Sequence, residues 1–201
     1  MKLVIATHNK GKLAEYRQLL AEWDFELVSL DDLGIEVDVE ETGETFEANA
    51  QLKAEQYGEM TGLLTIADDS GLSIDALEGR PGVYSARYGG KGLDEAGRRH
   101  KVLTELENVP MEQRTARFEC VIALHDPRDP AKKVTHFVAG TCEGHITFED
   151  HDAGQGFGYD PIFQPIGYSQ TFGELSADIK HALSHRGKAT AKLPEIIKLV
   201  V

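Results

Sequence analysis

Leu63-Leu64-Thr65-Ile66-Ala67-Asp68-Asp69-Ser70-Gly71-Leu72 is the stretch on which the reading of this chain turns. Its apolar, partly β-branched opening suits a buried strand, and Asp-Asp-Ser-Gly is turn chemistry, so the two acids are expected at the strand's carboxyl end. Open α/β sheets bind ligands at that end. Neighbouring carboxylates repel unless a cation stands between them or one of them takes a proton. A divalent metal supplies the cation; the structural alternative is an Asx turn that caps the next segment.

Upstream, Lys2–Ala6 reads as a strand and Thr7-His8-Asn9-Lys10-Gly11-Lys12 as the loop after it. Leu13, Tyr16, Leu19, Leu20 and Trp23 then fall at helical spacing, so the loop opens onto a helix's amino end. Free N–H groups, the positive dipole end, Gly11 and two lysines make a phosphate cradle there, outside the Walker pattern. The same residues also fit a capped turn with solvated lysines. Phe25–Leu30 suits a second strand, and Val37–Gly43 an extended piece ending on the acidic pair Glu40-Glu41. Thr45–Met60 is helical in pattern, with Phe46, Ala50, Ala54 and Tyr57 on its apolar side. Asn49 and Lys53, four apart on the next stripe, reach one ligand unless Lys53 faces solvent.

Downstream, the loop Gly79–Gly90, with Arg80, Tyr84, Arg87 and Tyr88, suits a binding lip or a subunit contact. Leu93–Leu106 is a charged helix with no function assigned. Ala116–Leu124 and Val134–Cys142 read as an antiparallel hairpin about the turn Asp126–Pro130. Strand-loop-helix units beside a hairpin indicate a mixed sheet in an α/β fold. Gly154–Phe163 interleaves glycines with aromatics and one acid, which suits either a slot for a flat base or an aromatic turn packed on the sheet. Lys180, His185, Arg186 and Lys188 form a basic cluster, and His185 and Arg186 also fit helix C-capping. A last helix is expected over Ala189–Leu199.

With 201 residues the chain makes one large domain or two joined lobes and buries roughly 70% of its unfolded surface. A net charge of -13 argues against a duplex-binding surface. Leu3–Ala6 is too short for a secretory core, and no run approaches a membrane span, so Cys120 and Cys142 are expected as reduced core thiols. Taken together, a phosphate loop, two acidic clusters, an aromatic-glycine slot and basic residues near the end describe a nucleotide site with a metal. Phosphoryl chemistry asks for little else.

Thr7–Lys12, Glu41-Thr42-Gly43, Ala67–Gly71, Pro81–Arg87, Gly156–Pro161 and Ser184-His185-Arg186 together resemble the inosine-triphosphate pyrophosphatase family, in order over nearly the whole chain. The resemblance implies one domain, 1–201, with a long mixed central sheet flanked by helices, two lobes and a cleft between them. It implies a cytoplasmic homodimer with Mg2+ as cofactor, which hydrolyses ITP, dITP and XTP to the monophosphate and pyrophosphate, with no nucleic-acid or membrane partner. Carried over, Thr7, His8, Asn9, Lys10, Gly11 and Lys12 hold the triphosphate, Lys53 supports it and Ser70 donates to it. Asp69 is the base, and Glu41, Asp68 and Asp69 hold the metal. Phe157 stacks on the purine, Gly158, Tyr159 and Asp160 line its edge, and Lys180, His185 and Arg186 complete the slot. Arg186 or a main-chain N–H meets the 6-oxo group. Other triphosphates as substrates, or a nucleotide sensor without turnover, are the competing readings.

Overall fold

The computed structural model describes residues 1–90, 92–128 and 134–200. In chain order the elements are β1 (Lys2–Ile5), α1 (Lys10–Leu19), β2 (Glu26–Ser29), α2 (Phe46–Thr61), β3 (Leu64–Ile74), α3 (Glu95–Glu105), β4 (Thr115–His125), β5 (Thr135–Ile146), β6 (Phe163–Pro165), α4 (Ala177–Leu183), α5 (His185–Thr190) and α6 (Leu193–Ile197). The strands bond in the order β2-β1-β3-β4-β5-β6. β1 runs parallel to β2 and β3 while β5 and β6 are antiparallel, so the sheet is mixed, as the sequence pattern indicated. By its contacts the chain divides into two compact units: Met1–Asp69 with Cys120–Gly140 and Arg186–Val201, and Ser70–Glu119 with Thr141–His185.

In the first unit, alternation along β1 sorts its side chains to two faces. Leu3 and Ile5 join Tyr16 and Leu20 of the α1 region, Leu64 and Ile66 of β3, and Leu193, Ile196 and Ile197 of α6. Val4 and Ala6 join Ala50, Ala54 and Tyr57 of α2 and Ala67 of β3. Helices therefore cover both faces, which is why these strands are nearly unbroken apolar runs. The Thr45 hydroxyl accepts the Ala48 N–H to start α2, and Gly62, left-handed at φ 66°, ends it. The second unit has its own core, in which Leu72, Val102, Leu106, Ile146 and Phe172 surround Phe118 and Phe163, whose ring centroids are 4.6 Å apart.

Several expectations change. β3 does not stop on Asp68-Asp69: it continues to Ile74, with every position but Ser70 buried. Burial on both sides outweighs the local turn preference of Asp-Asp-Ser-Gly, because strand propensity follows packing more than residue identity. α1 begins at Lys10, inside the expected loop, because Asn9 caps it with its side-chain oxygen on the Lys12 N–H at 3.0 Å. It ends at Leu19, and Trp23 packs on the same apolar cluster from beyond its end. The last helical run is split into α5 and α6, since Pro194 lacks the N–H that a continuous helix needs. β4 and β5 are sheet neighbours, while Asp129 and Pro130 of the expected turn lie outside the described residues. Among the described residues no helix is long and apolar enough to cross a membrane.

Gly144 lets the edge strand β6 close on β5. A Cβ there would meet the Gln164 carbonyl oxygen at 2.4 Å and the Phe163 ring at 2.5 Å. Gly144→Ala is expected to lower stability by about 1–3 kcal/mol, the range for forcing extra carbon into a packed site. Urea unfolding of the two proteins measures it.

Candidate active site

The alternation that builds the sheet also separates the two acids of β3. Asp68 continues the face of Leu64 and Ile66, and Asp69 that of Thr65 and Ala67. Each acid therefore has its own set of partners. Asp68 Oδ2 receives Lys12 Nζ at 3.1 Å and Arg186 Nη2 at 3.0 Å and Nε at 3.3 Å. Arg186 also donates through Nη1 to Glu15 of α1. Two carboxylates thus face two cations, and balance of this kind is what keeps buried charge tolerable. Burial by itself would raise the Asp68 carboxyl, but Lys12, Arg186 and Lys53 overcome it and hold the group far below the usual carboxylate range. Its Oδ1 is buried without a hydrogen-bond partner. Cys120 lies 3.8 Å from Asp68 Oδ2, and burial pushes its thiol up to about 12. Both cysteines are buried and neither forms a disulfide, as expected.

On the α2 side the balance differs. Asp69 accepts Asn49 Nδ2 at 3.2 Å and Lys53 Nζ at 3.1 Å, and the same Lys53 Nζ lies 2.6 Å from Glu41 Oε1. Two carboxylates share one ammonium. Burial and the Glu41 charge raise the Asp69 carboxyl against the pull of Lys53 and Lys12, while Asp69 and Glu41 keep Lys53 charged in spite of its burial. α2 also places Glu41, which has no regular element under it. Asn49 Oδ1 accepts the Gly43 N–H at 2.8 Å, and the Tyr57 hydroxyl accepts the Val39 N–H at 3.1 Å and donates to Val37 O at 2.9 Å. Gly43 is needed for this approach, because a Cβ would meet Asn49 Oδ1 at 2.7 Å.

Among the described residues no group of three or more His, Cys, Asp or Glu stands arranged to hold a metal ion. The expected trio of Glu41, Asp68 and Asp69 is divided by the sheet. Glu41 and Asp69 are together. Glu41 and Asp69 bring hard carboxylate oxygens together on one side of the strand, a donor set that fits a divalent oxygen-seeking cation. In the loop before them the Thr7 hydroxyl accepts the Asn9 N–H at 3.2 Å, His8 lies 3.8 Å from Asp31 and 3.6 Å from Asp38, and Lys10, Gly11 and Lys12 form the first turn of α1.

The remaining expected residues belong to the second unit. The Phe157 N–H donates to Asp160 Oδ2 at 2.8 Å, Lys180 Nζ lies 2.6 Å from that same oxygen, and the ammonium stands 4.9 Å over the Phe157 ring. Gly156, at φ 73°, makes room for the acid, since a Cβ would meet Asp160 Oδ2 at 2.4 Å. Tyr159 turns inward and its hydroxyl donates to Ser85 O at 2.9 Å. His185 stacks on Phe118 at 4.7 Å and 11°, and Ser70 is half-buried in β3. His185 and Arg186 open α5 and are both buried, so they do not act as a C-cap of α4. Sequence reasoning gave Glu15 and Arg99 no site role, whereas Asn49, expected to share a ligand with Lys53, instead donates to Asp69. Glu15 carried a signal, since three residues after Lys12 on one helix it shares that lysine's stripe.

These features define an α/β protein with a buried carboxylate–cation centre on the strand β3. The chain belongs to the Ham1 family, which matches residues 3–196. It is 48% identical over 196 residues to a Bacillus cereus protein named dITP/XTP pyrophosphatase, covering 98% of this chain and 94% of that one. A Bacillus subtilis protein of the same name is 45% identical, with 97% and 96% covered. Among solved structures, a HAM1 protein from Coxiella burnetii is 41% identical with a TM-score of 0.86, covering 98% of both chains. A structure from Mycobacterium abscessus titled nucleoside-triphosphatase / dITP/XTP pyrophosphatase is 43% identical with a TM-score of 0.76, covering 96% of this chain and 98% of that one.

Arg186→Met takes the guanidinium away from two buried carboxylates, Asp68 and Glu15, and is expected to cost about 3–5 kcal/mol in urea unfolding at pH 7. The pH dependence has opposite signs at the two acids. Asp68, lowered in the folded state, contributes stability that is complete above its unfolded value of about 4 and is lost as the pH falls from there toward its folded value. Asp69, raised, contributes stability that is complete below about 4 and is lost as the pH rises through its folded value. Asp69→Asn therefore should unfold at pH 7 no more easily than the wild type, whereas Asp68→Asn should unfold more easily. Denaturation midpoints between pH 3 and pH 7 test both signs.

Proposed function

We propose that this protein hydrolyses aberrant purine nucleoside triphosphates, ITP, dITP and XTP, to the monophosphate and pyrophosphate, as a Mg2+-dependent cytoplasmic homodimer with no nucleic-acid or membrane partner. The observation that carries the reading is Asp69 itself, a buried carboxylate oriented by Asn49 and Lys53 and biased by its burial, with Glu41 beside it, toward taking a proton. The names of the relatives support it, and the charge of -13 agrees with a small anionic ligand bound at local positives.

In this reading the capped start of α1, with Thr7, His8, Asn9, Lys10, Gly11 and Lys12, receives the phosphates through its free N–H groups and Lys12. Lys53 and Ser70 add donors. Asp69 accepts a proton from the attacking water as the bond to the pyrophosphate leaving group breaks. Of the expected trio, Glu41 and Asp69 are the residues that would hold Mg2+, which when bound neutralises phosphate oxygens as a Lewis acid, while Asp68 faces Lys12 and Arg186 on the other side of the strand. Phe157 stacks on the purine, and Gly158, Tyr159 and Asp160 line its edge with Lys180, His185 and Arg186 completing the slot. Arg186 spends its guanidinium on Asp68 and Glu15, which favours a main-chain N–H as the donor to the 6-oxo group. Adenine's 6-amino group offers a donor where an acceptor is needed, a mismatch of about 1–3 kcal/mol per unpaired group.

Pyrophosphate release from ITP, XTP, dITP, GTP and ATP with Mg2+ tests the reading. The inosine and xanthine substrates should give the highest kcat/KM and ATP a negligible one, with activity lost in chelator. Asp69→Asn should lower kcat by about 10²–10⁴, the range for removing a general base. A protein most active on ATP, or fully active in chelator, would refute it.

A further inference from the structure

α3, to which the sequence gave no role, holds both main-chain polar groups of Gly158. The Gly158 N–H donates to Glu95 Oε2 at 2.8 Å, and its carbonyl accepts Arg99 Nη1 at 3.1 Å. Glu95 and Arg99 stand four apart, one turn of the helix from each other. Two further donors of the Arg99 guanidinium go to Asp150 Oδ2 at 2.6 Å and Asp152 Oδ2 at 3.1 Å, with only 6% of the side chain exposed. A planar fork of this kind serves several acceptors in fixed directions, which a lysine cannot do. Gly158 is left-handed at φ 62°, so the peptide planes on its two sides need outside support to keep one orientation. Those planes lead directly into Phe157 and Tyr159. The Phe157 end is tied in turn to Asp160, which Lys180 also holds.

We infer that Glu95 and Arg99 are positioning residues that set the orientation of the Phe157-Gly158 segment and so decide which purines are accepted. The inference rests on the proposed assignment of Phe157 and Gly158 to the base. α3 touches no substrate in this account; it acts through one glycine. Loosening the clamp should weaken base recognition while leaving the phosphate chemistry at Asp69 intact.

The test measures kcat and KM for ITP and GTP in the wild type, Glu95→Ala, Glu95→Gln and Arg99→Lys, together with amide hydrogen exchange of residues 156–160 in each protein without nucleotide. Glu95→Ala and Arg99→Lys should raise KM for ITP about tenfold, the equivalent of one lost hydrogen bond to a charged group, and reduce the ITP-over-GTP preference, with kcat within about twofold. Exchange at Gly158 should speed up in both. Glu95→Gln keeps an acceptor and should restore the wild-type KM. Glu95 is exposed, so its alanine variant serves even if Arg99→Lys unfolds. Unchanged KM and unchanged exchange in Glu95→Ala would overturn the clamp while the wild type still turns over ITP. A wild type that hydrolyses neither substrate would instead remove the functional assignment, and this inference with it.

Discussion

The structure depends on how charge is neutralised around one buried strand. β3 carries two carboxylates where a central strand ordinarily carries apolar side chains, and burying an ion without a partner costs several kcal/mol. Asp68 is offset by Lys12 and Arg186, with Glu15 absorbing the rest of the guanidinium, so the charges on that face balance. Asp69 is raised by its burial and shares its lysine with Glu41. The outcome is a pair of adjacent residues with opposite titration behaviour, one locked as a carboxylate and the other biased toward accepting a proton. Separation of neighbouring acids in this way is a familiar means of giving each a distinct task.

That division has a geometric origin. A strand sends successive side chains to opposite faces, so Asp68 and Asp69 answer to different helices despite being adjacent. α1 and α5 supply the cations for the first, α2 the lysine and amide for the second. Asn49 joins two parts of the second arrangement, one end of its amide on the Gly43 N–H and the other on Asp69. The irregular segment that carries Glu41 is thereby held by α2. The second unit shows the same economy: Asp160 takes both the Phe157 N–H and the Lys180 ammonium on a single oxygen.

Much of the fold was legible in the sequence. Apolar periodicity located the helices beginning at Lys10 and Phe46 and the strands β1, β2, β4 and β5 to within a few residues, because that signal is local. The reading failed at Asp68-Asp69-Ser70-Gly71, where a turn-forming string is overridden by burial on both faces of a continuous strand. It also failed at the chain's end, where one helix became two. Most of the candidate site residues were visible by type and spacing; their partners were not. That Arg186 would face Asp68 and Glu15, and that Arg99 would reach Gly158, depends on separations of 118, 171 and 59 residues.

The sequence by itself determined an α/β protein with a mixed sheet, reduced buried cysteines, and a set of ordered motifs pointing to nucleotide chemistry, because composition, periodicity and local spacing are properties of short segments. Only the tertiary structure decided which cation serves which acid. Charge compensation in a low-dielectric interior is set by distances between residues far apart in the chain, and no local pattern contains them.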